Sequence, residues 1–438
     1  MDTIQISGAR EAAFAALRAC EKQGAWSDQA IKNESRKWSL SSRDAALAAN
    51  LCYGVVQNQL LLDFWIDAFS KIPSHKLDAP VRLSLRLGLY QLYFLDRIPA
   101  SAAVNESVNL VRKYTKNKGA SGLTNAVLRA FQRSPQKPEP SELSVRYSHP
   151  AALVHQLEQE LGGNVEPLLA LNNTPTDMVI QVNTLKTSVR ALRAALAEDG
   201  VETEIHPWME NCLLVRKSGD LEQLEAFQCG AFYVQDCAAK LAALIADPKP
   251  GDKVLDACAA PGGKSFACAL LMGDRGEVLS RDLHENKLKR IRSGANRLGL
   301  DCIQTASADA RAYQPELDSA FDIVLADVPC SGLGIIRKKP DIRYKDLRET
   351  ESLPQIQLDI LSNVSRYVKP GGTLVYSTCT VLRRENEAVV EAFLNGNSGY
   401  TLEPFAAAGC DAAGQITLWP HIHGTDGFFI AKLRRLKD

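Results

Sequence analysis

Two cysteines in this chain stand where chemistry is done. Cys330 lies in "LADVPCSGLG", residues 325–334, just after an apolar run that ends in Asp327, and Cys379 closes a second apolar run in "LVYSTCT". Both flank turn residues instead of sitting in mid-strand, where a cysteine serves as a small hydrophobe. A thiol so placed is a candidate nucleophile. Asp282 in "GEVLSRD" and Asp309 in "ASADAR" end apolar runs in the same way. Upstream of all four, "DACAAPGGKS", residues 256–265, supplies small residues and glycines. Such a stretch turns tightly and aims backbone N–H groups and a helix start at a ligand.

The glycine-rich turn alone is ambiguous. Gly263, Lys264 and Ser265 fit the end of the phosphate-binding pattern G-x-x-x-x-G-K-S, with Cys258 where its first glycine belongs. "FDIVLAD" would pass as the Mg²⁺-holding strand of a nucleoside triphosphatase, which is therefore one reading. Asp282 argues against it. It ends a strand 19 residues after Gly263, where an acidic side chain accepts hydrogen bonds from ribose hydroxyls. Asp309 is placed to receive a donor such as an adenine amino group. A nucleoside laid across the strand ends needs these carboxylates, whereas they would repel a triphosphate.

Beside a bound nucleoside cofactor, a thiol has a specific use. Carbon 5 of a pyrimidine is too weak a nucleophile to take a methyl group directly. Addition of a thiolate to C6 makes the ring an enamine, C5 attacks the methyl, and loss of the C5 proton expels the thiol. Asp327 would hydrogen-bond the N3/N4 edge and stabilise the charge arriving there. A free thiol has a pKa of about 8.5, so a cation helps, and Lys264 is the candidate. On the residues alone, Cys330 and Cys379 are interchangeable in these roles. A third reading is a non-catalytic RNA-binding factor on a vestigial enzyme fold; the retention of Cys330, Cys379, Asp282 and Asp327 together speaks against it.

The elements that must position these groups follow from periodicity. From about residue 236, apolar strands ("KVLDAC", "GEVLSRD", "CIQTASAD", "FDIVLAD", "TLVYSTC") alternate with amphipathic helices, and "KPGG" reads as the turn before the last strand. That alternation predicts a doubly wound α/β sheet, Rossmann-like, whose ligands bind beyond the carboxyl ends of the strands. Residues 8–134 read as helix after helix, an all-α bundle. "SSRDAALAANLCYGVVQNQLLLDFWIDAFS" is long enough for two packed helices or one bent one, with serines suited to N-capping. "SPQKPEPSE" reads as a linker, followed by a small α+β unit. The expected domains are 1–140, 141–235 and 236–438.

Composition sets the class. Of 438 residues, 45% are hydrophobic and 23% charged, as in ordinary soluble globular proteins. No run approaches the roughly 18 apolar residues of a membrane span, and the N-terminus has no secretion signal. Eleven cysteines without a C-x-x-C pair argue for a reducing cytoplasm and against a structural metal site. The net charge of zero hides an asymmetry: residues 1–146 hold 20 Lys+Arg against 13 Asp+Glu, a net of +7. A basic front half suggests a polyanion partner. Arg112, Lys113, Lys116 and Lys118 around one turn, and the run Arg337, Lys338 and Lys339, are candidate RNA contacts.

"DACAAPGGKS", "RDLHENKL", "ADVPCSGLG" and "YSTCT", in this order, resemble the RNA cytosine-C5 methyltransferases of the Nol1/Nop2/Sun family. "HGTDGFFIAKL" resembles that family's closing strand, and the helical front part resembles NusB-like domains, so the likeness spans essentially the whole chain. The resemblance implies S-adenosylmethionine as methyl donor, held by Cys258, Ala259, Ala260, Pro261, Gly262, Gly263 and Lys264 with Asp282, Asp309 and Asp327. It implies Cys379 as nucleophile, with Cys330 assisting adduct breakdown and release. It implies RNA-binding roles for the two leading domains, no metal, and a monomer acting on small-subunit (16S) ribosomal RNA, with cytosine 967 as the expected acceptor.

Overall fold

The computed structural model describes residues 8–437. They form two compact units: the chain up to Thr174 together with Ile336–Lys345, and Pro175–Ile335 together with the chain from Asp346.

The first unit is helical: α1 (Gly8–Gln23), α2 (Ser27–Lys37), α3 (Ser42–Gln57), α4 (Gln59–Phe69), α5 (Ala79–Phe94), α6 (Ala100–Tyr114), α7 (Ala120–Arg133), and the shorter α8 (Leu143–Arg146), α9 (Ala151–Leu161) and α10 (Glu166–Leu171). The long apolar run divides into two helices at Asn58, whose amide nitrogen donates to the Gly54 carbonyl. Ser41 caps α3, accepting from the Asp44 N–H at 3.2 Å. Leu51, Leu62, Leu85 and Leu128 are among the core residues that close over one another. The proline-rich stretch is not a free tether, since the Trp65 indole donates to the Pro138 carbonyl at 3.0 Å. Arg343 is buried in this unit, and its guanidinium donates to the Gln57 carbonyl and the Asn173 side chain at 2.8 and 2.9 Å.

The second unit starts with β1 (Met178–Val182), α11 (Val189–Glu198), β2 (Glu202–Ile205), β3 (Cys212–Lys217), α12 (Glu225–Gln228) and β4 (Phe232–Val234). They make a four-stranded antiparallel sheet of order β2-β3-β1-β4. There follow α13 (Cys237–Ala246), β5 (Lys253–Asp256), α14 (Gly263–Leu271), β6 (Glu277–Asp282), α15 (Glu285–Leu298), β7 (Ile303–Ser307), β8 (Phe321–Asp327), α16 (Leu353–Ser365), β9 (Val368–Thr378) and α17 (Glu387–Gly396). The chain ends with β10 (Tyr400–Leu402), β11 (Phe405–Ala407), β12 (Cys410–Ala412), β13 (Gln415–Leu418), α18 (Pro420–His423) and β14 (Phe428–Arg435).

The main sheet runs β10-β14-β9-β8-β5-β6-β7. Strands β5 to β9 are parallel and β14 is antiparallel to β9. Parallel strands are covered on both faces by their crossover helices, so they read as unbroken apolar runs. Strand order reverses beside β5, between β6 and β8, which makes that edge the topological switch point where ligands bind. "KPGG" differs from its expected role: it lies inside β9, not before it. Val368 pairs with Phe321 and Thr373 with Ile323, so the residues between bulge out of register, with Gly371 at φ +76°.

Candidate active site

The loop after β5 is held by its own backbone. The Ala259 N–H donates to the Arg281 carbonyl at 2.7 Å, and the Gly262 N–H to the Ala259 carbonyl at 2.7 Å. Gly262 has φ +111°, and a Cβ there would lie 2.7 Å from the Phe266 ring. Only glycine closes this turn. Gly263 then opens α14, leaving N–H groups of the first turn available to a ligand. Ala259 and Gly262 are buried, Cys258, Ala260 and Gly263 half-buried, and Pro261 exposed. Burial pushes the Cys258 thiol up, with nearby Asp256 and Asp327 adding to the effect.

Asp256 was not singled out from the sequence, where it is merely the last residue of a strand. It is fully buried, and its Oδ2 accepts from Ser265 Oγ at 2.7 Å, which in turn is bonded to Ser280 Oγ at 2.7 Å. Desolvation pushes its carboxyl up to about 6. This network ties β5, α14 and β6 together under the loop.

Asp282 ends β6 and is 8% exposed. Its Oδ1 accepts from the His284 N–H at 3.0 Å and lies 3.4 Å from Lys287 Nζ. Asp309 follows β7, and Arg311 holds both of its oxygens through N–H donors at 2.8 to 3.1 Å. The Arg311 hydrogen bonds keep this carboxyl below its usual range. A nucleoside amino group at this position would share the carboxylate with Arg311.

Asp327 and Ser377 are register partners on adjacent parallel strands. The Ser377 hydroxyl donates to Asp327 Oδ1 and Lys264 Nζ to Oδ2, each at 2.7 Å. Burial alone would lower the Lys264 ammonium, but the facing Asp327 outweighs it and the net shift is upward. Lys264 therefore stays charged, 5.1 Å above the Phe428 ring. Beyond these strand ends the two thiols meet, Cys330 Sγ to Cys379 Sγ at 3.1 Å. Both are half-buried. Contact with Cys379, then burial, then the carboxylates of Glu385 and Asp327 push the Cys330 thiol well above its ordinary range.

The loop that carries Cys330 is pinned to β9. The Gly334 N–H donates to the Cys379 carbonyl at 3.0 Å and the Gly427 N–H to the Gly334 carbonyl at 2.8 Å. Only the motifs "CSGLG" and "HGTDGFFIAKL" mark Gly334 and Gly427 in the sequence, and neither shows that the two glycines meet. The candidate RNA-binding residues all belong to the first unit. Lys113 is paired with Glu11, and Arg337 donates to the Thr174 carbonyl. Among the described residues no group of His, Cys, Asp and Glu could hold a metal ion, and no helix is long and apolar enough to cross a membrane.

Comparison with known proteins places this arrangement. Residues 243–434 match the family described as 16S rRNA methyltransferase RsmB/F, residues 7–133 the NusB family, and residues 149–222 an RsmF/B-like, ferredoxin-like domain. A Bacillus subtilis protein described as "Probable ribosomal RNA small subunit methyltransferase B" is 36% identical, covering 99% of this chain and 100% of its own. The ribosomal RNA small subunit methyltransferase B of Vibrio cholerae is 35% identical over 90% of each chain. The crystal structure of NSun6 from Pyrococcus horikoshii with SFG shares the fold, with a TM-score of 0.55 at 24% identity, covering 68% of this chain and 99% of that one. The relatives are methyltransferases, and the triphosphatase reading is set aside.

Proposed function

The chain belongs to the 16S rRNA methyltransferase RsmB/F family, and from that premise we propose that it methylates C5 of a cytosine in 16S rRNA, cytosine 967 by resemblance, through a covalent cysteine adduct. The family is S-adenosylmethionine-dependent, and that cofactor when bound supplies an electrophilic methyl group. The residues present fit it: a glycine turn ahead of α14, and a largely buried Asp282 whose Oδ2 makes no hydrogen bond among the described residues and suits a ribose hydroxyl. Cys258 to Lys264, Asp282, Asp309 and Asp327 are its proposed contacts.

In the proposed reaction the Cys379 thiolate adds to C6 of the cytosine. The electron pair moves to C5, which takes the methyl group. A base then takes the C5 proton, the C–H electron pair re-forms the C5=C6 double bond, and the C6–S bond breaks with its pair returning to the Cys379 sulfur. Asp327 hydrogen-bonds the N3/N4 edge. Cys330 assists adduct breakdown and RNA release. The assignment of roles is supported by local charge: Lys264 lies near Cys379, whereas two carboxylates act on Cys330. We further propose that residues 1–140, through Arg112, Lys113, Lys116 and Lys118, and residues 141–235 grip RNA ahead of a catalytic part at 236–438 that adds Arg337, Lys338 and Lys339, in a cytoplasmic monomer.

The observation that carries this reading is the meeting of two thiols, 3.1 Å apart, beyond the Asp327 strand end. The test is substitution of each. Cys379→Ala should abolish methyl transfer to 16S rRNA while S-adenosylmethionine still binds. Cys330→Ala should accumulate a protein–RNA species that survives a denaturing gel. Turnover by the first variant, or no trapped species with the second, would overturn the assignment.

A further inference from the structure

Glu385 lies in "VLRRENE", just after the second cysteine motif, and is completely buried. Its Oε2 accepts from the Ser331 N–H at 2.8 Å and from the Gln357 amide at 3.0 Å, while Oε1 is buried with no partner. No Lys, Arg or His pairs with it among the described residues. A buried carboxylate without a counterion is costly to keep, so its surroundings should show what it does. Ser331 is the residue after Cys330, and its hydroxyl meets the Thr380 hydroxyl at 2.8 Å, one residue after Cys379. Gln357, reaching over from α16, also donates to the Pro329 carbonyl at 2.9 Å, one residue before Cys330. The Tyr376 hydroxyl donates to the Glu385 carbonyl. The carboxyl group thus holds Ser331 directly and Pro329 through Gln357, while the Glu385 backbone carbonyl and the Ser331–Thr380 hydroxyl pair tie this cluster to the strand end that carries Cys379.

We propose that Glu385 is a positioning residue for methyl transfer, fixing the Cys330 loop against Cys379 and setting its carboxyl group beside the Cys330 thiol. The groups facing Cys330 are Cys379 and Tyr376 of the β9 segment, Asp327 at the end of β8, and Glu385 itself. Lys264 on α14 is hydrogen-bonded to Asp327 and interacts electrostatically with Cys379. A negative charge held beside a thiol disfavours its ionisation, so replacing the Glu385 carboxyl by an amide reads out that charge at Cys330. The proposal rests on the reading of Cys379 as nucleophile, but it can be tested apart from it.

The experiment follows iodoacetamide alkylation of Cys330 against pH, read by mass spectrometry of its peptide, in a Cys379→Ala background. Glu385→Gln should bring the titration midpoint down by about one unit, roughly a tenfold faster reaction near neutrality. Glu385→Asp keeps the charge and should leave the midpoint within about 0.3 units. An unmoved midpoint in the Gln variant, or an equal fall in the Asp variant, overturns the proposal. Should Glu385→Gln not fold, Gln357→Leu removes one donor but not the charge. Cys330 should then remain protonated to at least the parent pH, and a lowered midpoint overturns the proposal. The nucleophile assignment fails separately, if Cys379→Ala still transfers methyl groups.

Discussion

Gly334 is where a single added carbon should separate folding from chemistry. A Cβ on this buried residue would lie 1.9 Å from the Gly427 carbonyl oxygen and 2.8 Å from that of Cys379, where ordinary contact begins at 3.4 Å. Both neighbours are backbone, so no rotamer relieves the clash, and the Cys330 loop must move about 1.5 Å away from Gly427, just ahead of β14, and about 0.6 Å away from Cys379, just after β9. Overpacking of this kind costs about 1–3 kcal/mol of stability. The chemical penalty should be of comparable size in energy, about 2.7 kcal/mol, because misplacing reacting groups by about 1 Å can cost about 10²-fold in rate. Gly334→Ala should therefore remain folded and bind S-adenosylmethionine within about threefold of the parent, measured by calorimetry. Its single-turnover methyl transfer to 16S rRNA should fall by about 10²-fold. Gly396→Ala, at the end of α17 with nothing within 4 Å of the new carbon, should be silent in both assays. A Gly334→Ala enzyme within threefold of the parent rate would refute the argument that the glycine contact sets the distance between the thiols.

Three other perturbations are informative. Asp256 keeps its proton in the folded state up to about pH 6, while the unfolded chain loses it near 3.8. Stability from the neutral form is therefore full below pH 3.8 and is lost as pH rises to 6, a change of about 3 kcal/mol at 1.36 kcal/mol per unit. Relative to Asp256→Asn, the parent should lose that much protection of β5 amides against hydrogen exchange between pH 4 and 7; a flat difference would contradict the burial argument. Lys264→Met removes the ammonium that donates to Asp327 Oδ2 and should lower single-turnover methyl transfer by about 10²-fold; a rate within threefold of the parent would deny Lys264 a part in the site. Replacing Arg112, Lys116 and Lys118 together by Ala should lower the slope of log affinity against log salt for RNA by about 2, at roughly 0.7 per phosphate contact. An unchanged slope would remove that turn from the RNA grip.

How much was legible in the sequence depended on whether a residue's role is local. The strand "FDIVLAD" announced itself because a parallel strand is apolar on both faces, and its end fixed Asp327 and the turn with Cys330. The break in the long helical run near Asn58 left the sequence open between one bent helix and two, and tertiary packing chose two. "KPGG" carries turn residues, yet the pairing of β8 with both ends of β9 outweighs that local preference and makes it a bulge. Asp309 has the right address, but only the fold shows Arg311 on its carboxylate.

By itself the sequence determined the order of elements, the places of the two thiols after their strands, and the glycine-rich turn ahead of α14, since each of these is written within about ten neighbouring residues. The tertiary structure alone decided that the thiols touch, that Lys264 reaches Asp327 across 63 positions, and that Glu385 lies beneath the Cys330 loop. Those facts depend on which strand ends become neighbours. Adjacency of that kind follows from sheet order and long-range packing, which no short stretch of residues encodes.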